Sequence, residues 1–84
     1  MSIDTIKQNS EILNEAVIKF NSYTIEIDSL EKNLETTKDK KTKKVIEEQI
    51  SSLKVKINEL STYILKIQIN IQKLLDEELQ YNAS

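Results

Sequence analysis

Apolar side chains recur along the first half of the chain in alternating steps of three and four. The stripe runs Ile6, Asn9, Leu13, Ala16, Phe20, Tyr23, Ile27, Leu30, Leu34, Thr37, and eight of its ten positions are apolar or aromatic. Lys7, Gln8, Asn14, Glu15, Asn21, Ser22, Asp28 and Ser29 fall on the other side. One turn of an α-helix takes 3.6 residues, so this spacing predicts a helix over about 3–37 with a single buried seam. Ser2 is positioned as an N-cap, and Asp4 in the first turn complements the helix dipole. A second stripe is purer: Ile46, Ile50, Leu53, Ile57, Leu60, Ile64, Ile67, Ile71, Leu74, with its phase carried on through Glu78 to Tyr81. It has the spacing of a coiled coil sustained over about five heptads and predicts a second helix over about 44–80, with 81–84 as a short tail.

The two stripes do not belong to one rod. Twelve residues separate Leu34 from Ile46, and at about 100° per residue the stripe would arrive rotated by roughly 120°. A reversal in the intervening segment, about 38–43, removes the conflict and gives a consistent antiparallel register. Leu34 then faces Ile46, Leu30 faces Ile50, Ile27 faces Leu53 and Tyr23 faces Ile57, and so on to Ile6 with Leu74. Every pair sums to 80, which centres the turn near Lys40. At the flanks Glu26 falls beside Lys56, while Glu31 beside Glu47 is unfavourable. A strand reading competes, since Tyr23/Ile25/Ile27, Leu53/Val55/Ile57 and Leu65/Ile67/Ile69/Ile71 alternate with period two. The continuous 3-4 stripes, and the lack of any Gly, Pro or Asn-Gly turn between the segments, favour helices. The expected fold is all-α: one domain over 1–84, an antiparallel two-helix hairpin.

A hairpin seam cannot hide all the apolar surface this chain carries. Ile18 and Ile25 lie seven apart on the outer face of the first helix. On the second, Leu65, Gln68, Gln72, Leu75 and Leu79 form a further 3-4 series beside the main seam, with Val55 and Ile69 nearby. Residues 60–75 hold only Lys66 and Lys73 as charges, and a helix apolar almost all round is normally covered on more than one side. Two partners fit. One is a second copy, completing a four-helix bundle; the other is a different helical protein docked on these nine residues. A longer rearranged coiled coil is a third arrangement. Asn9 interrupts the first stripe opposite Ile71, either to set register or because it lies at a frayed open end.

Composition narrows the chemistry. The 84 residues include no His and no Cys, so the commonest general base, the thiolate nucleophile, disulfides and the usual zinc ligands are all missing. Gly 0 and Pro 0 remove phosphate-cradling loops. Ser and Thr are present without an activating base, and acid pairs such as Glu47/Glu48 and Asp76/Glu77/Glu78 diverge around a helix, so they read as solvated surface. No catalytic residue, cofactor site or metal site is expected. All 12 basic residues are Lys and the net charge is −2, which disfavours sequence-specific reading of DNA or RNA by Arg forks. Charge is segregated, however. Residues 1–37 sum to −4, residues 38–44 to +4, and residues 45–84 to −2. The basic tip is Lys38, Lys40, Lys41, Lys43 and Lys44. The first three are expected near the carboxyl end of the first helix, where the dipole welcomes them, and the last two at the start of the second, where it does not. A weak, salt-sensitive contact with a phosphate backbone is the functional alternative to a solvated loop.

No apolar run approaches the ~20 residues that span a bilayer, and Met1-Ser2-Ile3-Asp4 lacks the basic and apolar regions of a cleaved signal peptide. A cytoplasmic protein is expected, with signal-less secretion as the alternative. The abundance of Ile, Asn and Lys matches an AT-rich genome. In shape the chain resembles the WXG100-type hairpins and the helical partner proteins of type VII secretion, which implies a secretion partner. Those families carry a Trp-x-Gly turn and a Tyr-x-x-x-Asp/Glu tail. Here the turn is Lys38-Asp39-Lys40-Lys41-Thr42, and Tyr81 has three residues after it. The hairpin dimers of plasmid copy-control RNA-binding proteins have a similar shape, with a basic helical face that this chain lacks. The resemblances are of shape alone. The expected function is non-enzymatic protein binding, as an adaptor, an assembly or secretion chaperone, or an inhibitor of a larger protein. A self-contained structural homodimer is the alternative.

Overall fold

A computed structural model describes the backbone of residues 2–83 and the side chains of residues 3–80. The chain forms two helices, α1 (Ser2–Thr36) and α2 (Lys40–Ala83), joined by a three-residue connection at 37–39. They pack against each other as an antiparallel rod of 67 × 15 × 14 Å. At about 1.5 Å per residue, the 44 residues of α2 account for the full length of the rod. The hairpin is thus one long helix with a shorter one laid along it.

Burial follows the two stripes. In α1 and the connection that follows it, the buried and half-buried residues are the ten expected positions from Ile6 to Thr37, with nothing added among the described side chains. Among the described side chains of α2 they are the nine Ile and Leu positions plus Glu78, with Ser61 as the single addition; Tyr81, to which the phase of the stripe extends, lies outside the described side chains. The central cluster joins Ile27, Ile46, Ile50 and Leu53, packed about by Tyr23, Leu30, Leu34 and Ile57. Those eight residues are four complete pairs of the expected register. Farther along, the Asn70 side chain donates to Asn9 Oδ1 at 3.3 Å, joining the helices near their open end. Asn9 is therefore half-buried and engaged across the seam, while its own Nδ2 donates to the Thr5 carbonyl.

The turn differs from the expectation. It occupies 37–39 rather than 38–43, and α2 begins at Lys40 rather than near residue 44. The cause is local. Asp39 acts as N-cap: its Oδ2 accepts from the Thr42 backbone N–H at 3.1 Å and from the Thr42 hydroxyl at 2.7 Å. The Asp39 carbonyl accepts the first helical bond, from Lys43 N at 2.9 Å. With its leading amides satisfied and good helix formers following, α2 starts a full turn early. The end of α1 is closed by hydroxyls, Thr36 and Thr37 both donating to the Asn33 carbonyl. At the other extreme α2 runs on to Ala83, through most of the expected 81–84 tail. Ser2 already lies inside α1, so it is not the residue preceding the helix, and its side chain lies outside the described residues.

Candidate protein-binding face

The core that results is one residue deep. Among the described residues six side chains are buried, namely Ala16, Ile27, Ile46, Ile50, Leu53 and Ile67, and no large side chain is fully enclosed. Among the same residues twelve large apolar side chains stay exposed, twice as many as are buried, while the rest of the apolar seam is half-buried. Among them are all seven apolar residues anticipated as a binding surface: Ile18, Ile25, Val55, Leu65, Ile69, Leu75 and Leu79. Gln68 and Gln72 are exposed with them.

These residues do not form one patch. Ile18 and Ile25 sit on the back of α1, directly away from the seam, and Val55 sits on the back of α2 toward the tip. Leu65, Gln68, Ile69, Gln72, Leu75 and Leu79 lie together along one side of α2 in its distal half. The seam residues on either side of this strip, Ile67, Ile71 and Leu74, turn inward against α1. The strip is therefore held by a helix already anchored on its other face. Gln72 is oriented within it, its Nε2 donating to Asp76 Oδ1 at 3.0 Å.

Five further apolar or aromatic residues are exposed outside that set: Ile3, Ile12, Val17, Val45 and Tyr63. Val17 immediately follows a seam residue, as do Ser61, Gln68 and Leu75 in α2, and this places them on one flank of the hairpin. Ile12 immediately precedes a seam residue, as do Lys19, Glu26, Lys56 and Tyr63, and these line the opposite flank. The signal was present in the sequence as position relative to the seam, but it has meaning only once both helices are in place. That opposite flank carries shallow grooves, the one beneath Tyr23 and Tyr63 being about 380 Å³. Lys56 lies in a groove with Glu26, as the register requires. Its ammonium, however, stands 5.9 Å from the centroid of the Tyr23 ring, where the ring's negative face attracts it.

At the tip, Lys38 lies in the connection, whereas Lys40, Lys41, Lys43 and Lys44 all belong to the start of α2. Lys40 and Lys41 thus stand at the amino end of a helix, not at the carboxyl end expected for them. Neither helix complements its own dipole there from within: the last turn of α1 holds no base and the first turn of α2 no acid. Asp39 alone opposes the positive end of α2. The Thr42 hydroxyl and backbone amide, donating to the Asp39 carboxylate, hold its pKa below the usual carboxylate range.

Among the described residues, no helix is long and apolar enough to cross a membrane. No family model, no curated protein and no solved structure matches this chain.

Proposed function

We propose that this chain is a non-enzymatic protein-binding hairpin that presents the distal outer face of α2 to another helical surface. One observation carries the reading. Leu65, Ile69 and Leu79 are each more than half exposed, on a helix whose opposite side is already packed. Between Lys66 and Lys73 this helix has no charge to keep the surface wet. A contiguous apolar strip on a small folded rod marks an interaction site, and a rigid helix lowers the entropic cost of engaging a partner. Such a rod suits an adaptor, a chaperone or an inhibitor that docks by its side. The tip lysines surround a capped helix start and carry no aromatic platform, so a nucleic-acid role has less support.

Affinity purification of the full chain from the cells that make it tests the reading. Leu65→Asp combined with Ile69→Asp should abolish co-purification of specific proteins while far-UV circular dichroism remains helical. Changing Lys40, Lys41, Lys43 and Lys44 to Gln should leave it intact. An unaltered partner set in the double aspartate variant rejects this face as the binding surface.

A further inference from the structure

Two helices that pack antiparallel place residues opposite one another at a constant sum of positions. When the two helices are copies of one sequence, residue i meets residue j and j meets i, so a stripe suits such a contact when each pair it forms with itself is compatible. The central four positions of the outer strip of α2 meet this condition. Leu65, Gln68, Gln72 and Leu75 are spaced three, four and three, and the series is leucine, glutamine, glutamine, leucine from either end. Set antiparallel against itself about Asn70, it brings Leu65 onto Leu75 and Gln68 onto Gln72. Ile69, on the outward edge of the strip and 67% exposed, then meets its own copy at the axis. The acid nearest this seam, Asp76, falls beside Thr62 rather than beside another acid.

A second feature has the same centre. The seam register, which sets Asn9 opposite Ile71, places Ser10 at the level of Asn70. Ile3, Ser10 and Val17 follow one another at seven-residue intervals on the flank of α1 that adjoins the strip, with the two apolar members symmetric about Ser10. Ile3 is 70% exposed. Both helices thus carry apolar positions disposed evenly about a single level of the rod.

We propose that the occupant of the α2 outer face is a second copy of this chain, docked antiparallel about a two-fold axis crossing the hairpin at Asn70 and Ser10. This rests on the protein-binding reading above and gives it a partner, a register and an isologous geometry. Glutamines at the centre would exchange side-chain hydrogen bonds between copies, Gln72 through its amide oxygen because its Nε2 donates to Asp76. Leucines outside them would exclude water.

The chain contains no cysteine, which makes single cysteines clean reporters. Sedimentation of the full chain at micromolar concentration should give twice the 9.7 kDa chain mass, and Leu65→Asp with Leu75→Asp should restore that of one chain without loss of helicity. Ile69→Cys should be joined to its copy by a short bismaleimide. Leu79→Cys should not, because the register separates the two copies of residue 79 by about 27 Å along the axis. A dimer that cross-links at residue 79 or fails to do so at residue 69 overturns the proposal. So does a chain that stays monomeric. A monomer whose partner capture still depends on Leu65 and Ile69 removes the self-pairing and leaves protein binding in place. A monomer whose capture ignores them removes both.

Discussion

Leu53→Ala probes the seam at its best-packed point. Leu53 keeps 7% of its surface and belongs to the central cluster with Ile27, Ile46 and Ile50. The substitution deletes three carbon groups at ~0.8 kcal/mol each, which gives about 2.4 kcal/mol of lost transfer energy. In a deep core the cavity left behind would add substantially. Here both flanks of the seam open to water, so neighbours can close in or solvent can enter, and the cavity term is small. The expected cost is therefore about 2–3 kcal/mol, low in the range for buried leucines. Leu65→Ala is the matched control. It is 56% exposed, so less than half of the same transfer energy is at stake, about 1 kcal/mol. Urea unfolding of dilute protein followed by far-UV circular dichroism measures both, with an unchanged denaturant slope showing that the same surface is exposed. At higher protein concentration the difference should narrow, because Leu65→Ala also loses whatever association adds. Equal losses in dilute solution, or a larger loss at Leu65, would mean that α2 buries its other face and that the seam described here is wrong.

Nitroxide labels at the exposed positions Asn14 and Lys66 should lie roughly 20–25 Å apart, two adjacent helices plus outward linkers. An uninterrupted helix would hold them about 78 Å apart, and that value would dispose of the hairpin. Asn9→Leu should raise stability by about 1 kcal/mol by filling the seam opposite Ile71; a loss would show that the long Asn9–Asn70 bond contributes more than a leucine contact. Asp39→Ala should lower the melting temperature at neutral pH, whereas Asp39→Asn, itself a competent cap, should hold it. Because the folded Asp39 pKa is depressed, its contribution is complete above the ordinary aspartate range and disappears as pH falls through the folded value. The acid limb of the stability profile should therefore be shallower in the asparagine variant, and an identical limb would place the cap elsewhere. Lys43→Gln with Lys44→Gln should raise stability at low salt by some tenths of a kcal/mol, since positive charge opposes the dipole at the start of α2. The gain should vanish as salt screens it, and a gain that persists has another origin.

The 3-4 spacing determined, without coordinates, which face of each helix is buried. A helix fixes the angular position of every residue, so ten positions from Ile6 to Thr37 and nine from Ile46 to Leu74 had one way to face inward. The register followed from the same arithmetic, because only an antiparallel fold aligns two stripes that are out of phase along the chain. Apolar surplus was also legible, since Leu65, Ile69 and their neighbours sit at angles the seam cannot reach. Where the second helix starts was not legible from periodicity. It depends on a competition at the tip, settled by the Asp39–Thr42 cap in favour of four lysines joining α2. Which side chains of the two helices share a flank, and the choice of Lys56 for the Tyr23 ring, became legible only with both helices in place. Those choices depend on which residues of the other helix come alongside, and one helix viewed in isolation has angles but no neighbours.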